Sequence, residues 1–561
     1  MRFDEIEYRH IDQDEMKNEA ERILLLINGA SDFDSFAAAV LEFDRLQKDF
    51  STMSSLCQIR HSCHTDDEFY KDEQAYYDNV EPIFIGYYVE FCKAVVASTF
   101  KDQIIQRWGE RFFTACEYTI KSFDEAMIPF MQKENELASE YQRLMSQSQI
   151  EFNGEKLTLP GLMSFFSDPD REVRKGAITA FDGFLHTLEE PVGELFDELV
   201  KVRTQMGKAM GFETYTPLAY ILRCRYDYDK EAVKVFRDQV VREVVPLVGK
   251  IRAKQAERIG VDRITFTDSS FEFPQGNPRP QGTVKEKIET ARKMYNDLNP
   301  STGELFSMMA DSGLLDLESR PNKAQGGYCS DLANYSLPFI FANFNGTEDD
   351  VEVLTHEAGH AYNAWSVRDF ELSDQMEAGM ETCEIHSTSM EFFTSPYMEL
   401  FFGERADDYR YAHLASTVMA IAYECMVDEF QEKMYESPEL TFAERKEVWH
   451  SLERKYQPDR DYDGLYPTLE SGTYWLRQLH IFMYPFYYID YALASVSALD
   501  FNNRMISDRE GAWKDYDKLC HIGGKLFYRE ALAECSLKDP FSEGSLEMII
   551  APLYEQLGLE K

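Results

Sequence analysis

The chain has 561 residues, with 100 Asp and Glu against 58 Lys and Arg, a formal net charge of −42 and a pI near 4.6. That balance argues against nucleic acid or an anionic membrane surface as a partner. Hydrophobic residues make up 44% and aromatics 14%, which excludes a disordered chain and supplies enough apolar mass for a large core.

The N-terminal stretch MRFDEIEYRHIDQDE is charged and lacks the apolar region of a secretory signal. No apolar run approaches the ~20 residues that span a bilayer. The 10 Cys are spread from Cys57 to Cys535 without a regular framework, which suits a reducing compartment. A cytoplasmic protein with no membrane partner is therefore expected. Cys57, Cys63 and His64 cluster, but no C-x-x-C pair supports a metal there.

Residues 32–51 carry Phe36, Val40, Leu41, Phe43 and Leu46 at helical spacing with charges between them. Residues 82–99, 107–144 and 170–204 continue the pattern, with few breakers besides Pro129 and Pro191. The first roughly 200 residues thus read as long antiparallel helices. Residues 211–228 (GFETYTPLAYILRCRYDY) shift toward aromatics and loop formers, and residues 230–259 return to amphipathic helix. Residues 266–283 hold Pro274, Gly276, Pro278, Pro280 and Gly282, the clearest loop in the chain. Strand signals gather mainly at roughly 325–345, and helix dominates from Glu348 onward. The expected class is mainly α with a small β-sheet. No flexible linker appears, so an N-terminal helical lobe (1–205) and a second lobe (206–561) are expected to form one integrated unit.

The chemistry concentrates at His356-Glu357-Ala358-Gly359-His360, an H-E-x-x-H pattern. An apolar strand-like run at 338–344 (PFIFANF), the turn signal Asn345-Gly346 and a cap-like Thr347-x-x-Asp350 precede it. Val351, Leu354, Ala358 and Ala361 then give a helical stripe. Residues four apart on a helix share a face, so both imidazoles can reach one metal ion. Glu357 can approach a water at that metal. Neutral nitrogen ligands, an open position and a carboxylate base are what zinc hydrolases need. A third ligand is missing from the motif. Residues 375–393 offer Glu377, Glu381, Glu384 and Glu391 on one broad face, with His386 off the face of Glu384. Spacing alone leaves these four carboxylates open.

H-E-x-x-H followed by Glu384-Ile385-His386-Ser387-Thr388-Ser389-Met390-Glu391 resembles the M3 family of zinc metallopeptidases, whose segment reads E-[IV]-x-S-x-x-x-E. That family includes thimet oligopeptidase, neurolysin and oligoendopeptidase F, and the likeness is nearest to the oligoendopeptidase F and Pz-peptidase branch. The resemblance implies Glu384 as third ligand of one Zn²⁺ per chain. It also implies Glu391 as a group orienting a ligand histidine.

Residues 472–494 (GTYWLRQLHIFMYPFYYIDYALA) place four Tyr within eight residues. By themselves Phe482, Phe486 and Tyr487 read as aromatic core. The segment is similar to the family's His/Tyr-rich substrate loop and following helix. This implies substrate and transition-state roles for His480, Tyr484, Tyr488 and Tyr491, with Tyr491 as oxyanion donor. His480 stands one residue closer to its first Tyr than in the thimet-like pattern. Residues 326–343 resemble the family's strand beside the zinc helix. The resemblance then implies an exposed edge at 341–344 that pairs with substrate backbone, through Phe341, Ala342 and Asn343, while the sequence alone is equally compatible with a fully paired interior strand.

The fold implied is a two-lobed helical ellipsoid with a deep substrate channel and zinc on its floor. The activity implied is endopeptidase action on short unstructured peptides with Glu357 as general base. A carboxypeptidase built on the same motif and a non-catalytic zinc-containing peptide-binding protein are the competing expectations.

Overall fold

The computed structural model describes residues 1–146, 149–324 and 326–561. It is mainly helical, as the apolar periodicity predicts. Helix α1 (Phe33–Cys63) starts where Asp32 accepts from the Ser35 N–H. Helix α2 (Glu68–Ala97) starts where Asp67 accepts from the Phe69 and Tyr70 N–H groups. These side chains satisfy donors that a helix start leaves unpaired. Helix α3 (Arg171–Ala209) is capped by Asp170 and continues through Pro191.

Residues 107–144 do not form one helix. They divide into Lys101–Trp108, Glu110–Ser122 and Ile128–Ser146. Gly109 breaks the first junction with φ +96°, a conformation open to glycine and costly for other residues. Asp124 accepts from the Ala126 N–H at the second. Helix α4 (Thr216–Leu222) lies in the aromatic stretch that reads as loop in the sequence.

Strands form a hairpin, β1 (Ile150–Phe152) with β2 (Glu155–Leu157), and a three-stranded sheet of β3 (Leu315–Glu318), β4 (Tyr328–Leu332) and β5 (Leu337–Phe344). The order is β3-β5-β4, with β5 parallel to β3 and antiparallel to β4. This corrects the expected edge at 341–344. Phe341 pairs with Asp316 on one side and Tyr328 on the other, so β5 is an interior strand. Its uninterrupted apolar run is the signature of a strand covered on both faces. The edge strand on the other side of that pairing is β4.

Four further helices carry the site: α5 (Asp349–Val367), α6 (Met380–Thr394), α7 (Ala406–Glu436) and α9 (Tyr488–Ser507), the last preceded by the short α8 (Leu479–Met483). Thr347 does not cap α5. Asp350 reaches back instead, accepting from the N–H of Asn345 at 2.8 Å and of Gly346 at 3.1 Å while paired with the Lys287 ammonium. Packing of α5 on α6 is close at Gly359, where a Cβ would lie 2.4 Å from the His386 carbonyl oxygen.

One core spans both halves of the chain. Phe196 of α3 packs 5.0 Å from Trp475 and 5.5 Å from Phe482, centre to centre. A second cluster joins Phe36, Phe43, Phe91, Trp108 and Phe112 to Leu372. All ten cysteines are free thiols. Cys57 and Cys63 are buried on α1, whereas His64 is exposed at its end. Among the described residues no single helix is long and apolar enough to cross a membrane.

Candidate metal centre

Helix α5 sets His356 and His360 one turn apart, with ring centres 5.1 Å from each other. Across the Gly359 contact, α6 brings Glu384 Oε2 to 3.2 Å from His356 Nε2 and 3.7 Å from His360 Nε2. The three donor atoms lie within 4.8 Å of one another. The other carboxylates left open by spacing go elsewhere. Glu377 sits in the break before α6, facing the cleft. Glu381 is buried beside Asp490 and Arg225, and Glu391 lies two turns from Glu384 along α6.

These donors fit a zinc ion. Burial pushes His360 down to about 4, so it is a neutral nitrogen donor near pH 7. Burial raises Glu384, but His356, His360 and Tyr487 outweigh it and hold the carboxyl at about 2. Two imidazoles and one carboxylate at a cleft wall would leave a bound zinc with a position for water, as catalytic zinc requires.

His356 and Glu384 are held from behind. Glu391 Oε1 lies 2.7 Å from His356 Nδ1, and Glu391 Oε2 lies 2.6 Å from His413 Nε2 on α7. The Tyr487 hydroxyl donates to Glu384 Oε1 at 2.7 Å and the Ser387 hydroxyl to Glu384 Oε2 at 3.1 Å. Such contacts fix the orientation and basicity of ligands. Glu391→Gln is accordingly expected to weaken zinc binding by about 10–100-fold, read by competition with a chromogenic chelator. Unchanged affinity would remove Glu391 from this role.

The cleft encloses about 610 Å³. Its walls include Ser51 and Ser55 of α1, residues 327–331 at β4, His356, Glu357 and His360 of α5, and Tyr487 and Tyr491. Glu357 is 7% exposed, and burial lifts its carboxyl to about 7.

The aromatic segment is placed unevenly. Tyr491 faces the cleft with its hydroxyl 3.5 Å from His480 Nε2. Tyr488 turns away, its hydroxyl accepting from the Gln478 amide and its ring against Tyr423. Tyr484 is exposed, 6.0 Å from the His480 ring. Tyr487, which reads as core in the sequence, reaches Glu384. Its spacing of four from Tyr491 on one helical face was the available signal.

His413 carried no local signal, since its partner Glu391 is 22 residues away on another helix. Phe341 and Ala342 are interior, at 0% and 1% exposed. Asn343 donates to the Ala324 and Gly326 carbonyls. None of the three lines the cleft.

Two family patterns match the chain: the peptidase M3 N-terminal domain over residues 3–123 and peptidase family M3 over residues 164–549. Among solved structures, PZ peptidase A with inhibitor 2 is 41% identical, with a TM-score of 0.96 over 99% of each chain. Oligoendopeptidase-F from Enterococcus faecium shares the fold at 13% identity, with a TM-score of 0.66 over 97% of this chain and 96% of that one. The oligopeptidase PepF of Bacillus subtilis (strain 168) is 20% identical over 399 residues, 69% of this chain and 57% of its own length. The chain thus spans little more than half of that relative. The second pattern includes the H-E-x-x-H helix, Glu384 and the tyrosine segment together, and the chain belongs to peptidase family M3.

Proposed function

We propose that the chain is a zinc-dependent oligoendopeptidase that hydrolyses internal bonds of short, unstructured peptides. The convergence of His356, His360 and Glu384 beside Glu357 on one cleft wall carries this reading. His356, His360 and Glu384 would hold the metal. When bound, zinc supplies Lewis-acid polarisation and makes water more acidic.

Glu357 takes a proton from the attacking water and returns it to the leaving amine. The Tyr491 hydroxyl, beside His480, donates toward the charge that develops on the peptide carbonyl oxygen. Substrate backbone pairs with β4 rather than β5, because β4 is the edge strand that borders the cleft. A cleft of about 610 Å³ admits an extended segment and no folded domain.

The test is mass spectrometry of products from a peptide ladder of increasing length, together with one folded protein. Internal cuts in the short peptides, with the folded protein intact, are expected. Stepwise loss of C-terminal residues would move the reading to a carboxypeptidase. No cleavage by zinc-loaded protein would leave a peptide-binding protein.

A further inference from the structure

The tyrosines of the site lie in and just beyond a four-residue break between two helices. Helix α8 ends at Met483 and α9 begins at Tyr488. Between them Phe486 has φ +64°, a conformation that a bulky residue keeps only where its surroundings impose it.

Three arginines from the earlier part of the chain supply those surroundings. Arg203 on α3 donates to the Ile481 carbonyl at 3.0 Å and to the Phe482 carbonyl. Arg223, just past α4, donates Nε to the Pro485 carbonyl at 3.1 Å, with its guanidinium 5.3 Å from the Tyr487 ring centre. Arg225 Nη2 donates to the Phe486 carbonyl at 2.5 Å and to Asp490 Oδ1 at 2.7 Å. The Phe486 N–H donates to Gln431 Oε1 at 2.9 Å, and its ring packs on Tyr220 and Tyr435.

The captured carbonyls are those that a helix end and a turn leave without partners. Guanidinium stays charged at every working pH and offers several donors in a rigid fork. The residues just beyond this turn are Tyr487, on Glu384, and Tyr491, on the cleft.

We propose that Arg203, Arg223 and Arg225 are positioning residues. By holding the carbonyls of Ile481, Phe482, Pro485 and Phe486 they fix the left-handed turn at Phe486, which aims Tyr487 at Glu384 and Tyr491 into the cleft. The aromatic stretch at 211–228 thereby gains a role in the site. The kinetic consequence rests on the peptidase reading. The consequence for the backbone does not.

The experiment uses the full chain, zinc-loaded, as wild type, Arg223→Gln and Arg225→Lys. The first readout is hydrogen exchange at the Phe486, Tyr487 and Asp490 amides, which donate to Gln431, Tyr484 and Tyr487. The second is kcat and KM on a cleaved peptide, with affinity for a phosphinic peptide as transition-state mimic. Exchange at these amides is expected to rise at least about tenfold, with other segments unchanged. The kcat is expected to fall about 10–100-fold while KM stays within about threefold, with phosphinate affinity falling alongside kcat/KM.

Arg225 is buried, and its variant is open to misfolding. Arg223 is only partly buried, so Arg223→Gln decides the matter where Arg225→Lys does not fold. Unchanged exchange in folded Arg223→Gln overturns the proposal whatever the kinetics show. Faster exchange with unchanged kcat overturns its catalytic half. If wild type cleaves no peptide, the peptidase reading fails, and the exchange result alone upholds or overturns the clamp.

Discussion

Glu357→Gln is expected to keep one zinc per chain and to lose kcat by about 10²–10⁴-fold. Glutamine preserves the volume of the side chain and leaves His356, His360 and Glu384 untouched, so the metal site should persist. What disappears is a carboxylate able to accept a proton from water and pass it to the leaving nitrogen. Glu357 is well placed for this, being nearly buried at the cleft wall one residue from a ligand histidine. Metal analysis by mass spectrometry and steady-state kinetics on one peptide test both halves. A variant with wild-type zinc content and kcat within about tenfold of wild type would exclude Glu357 as the base.

Gly359→Ala is expected to damage fold and site together. The added Cβ would lie 2.4 Å from the His386 carbonyl oxygen and 2.6 Å from the Ser387 Cα. Both neighbours are backbone and cannot rotate away, so α5 and α6 must separate. Overpacking of this kind costs about 1–3 kcal/mol or more. The separation also draws Glu384 away from His356 and His360, whose donor distances of 3.2 and 3.7 Å depend on the helix contact. Zinc affinity should fall by at least about 10²-fold, beyond the loss expected for a changed group behind a ligand. Chelator competition and thermal unfolding measure the two effects. Gly249→Ala is the control, because nothing lies within 4 Å of its Cβ position in the helix Val245–Ile259. It should be neutral or stabilise by about 0.5–1 kcal/mol. A Gly359→Ala variant that behaves like Gly249→Ala would show that the helix pair adapts without cost.

The parts of this protein that were legible in advance are those encoded over short distances. The H-E-x-x-H motif needs only the 3.6-residue period of one helix to bring two imidazoles onto one face. The apolar stripes of α1 and α3, and the loop at 266–283, likewise need only local pattern. Misreadings arose where local pattern has two meanings. The run 338–344 is strand-like whether the strand is central or at an edge, and only its pairing with β3 and β4 together shows it to be central. Residues 107–144 have helical composition throughout, yet they break at Gly109, where φ is +96°, and at Asp124, which caps the next turn.

Glu384 marks the boundary between the two kinds of information. Its spacing made it one of four equal carboxylates, and resemblance to a family motif singled it out. In the fold it is distinguished by the crossing of α6 over α5 at a glycine. The partners of Tyr487 and His413 lay beyond sequence reasoning for the same reason: each meets a carboxylate carried on another helix. The sequence by itself determined the helical class, the two histidines with their adjacent carboxylate, and the tyrosine-rich segment, since these follow from residue identity and period. Tertiary structure alone decided which strand forms the edge, which tyrosines face the cleft and what holds His356 and Glu384 in place. Those outcomes depend on contacts between segments tens to hundreds of residues apart, and no local periodicity records them.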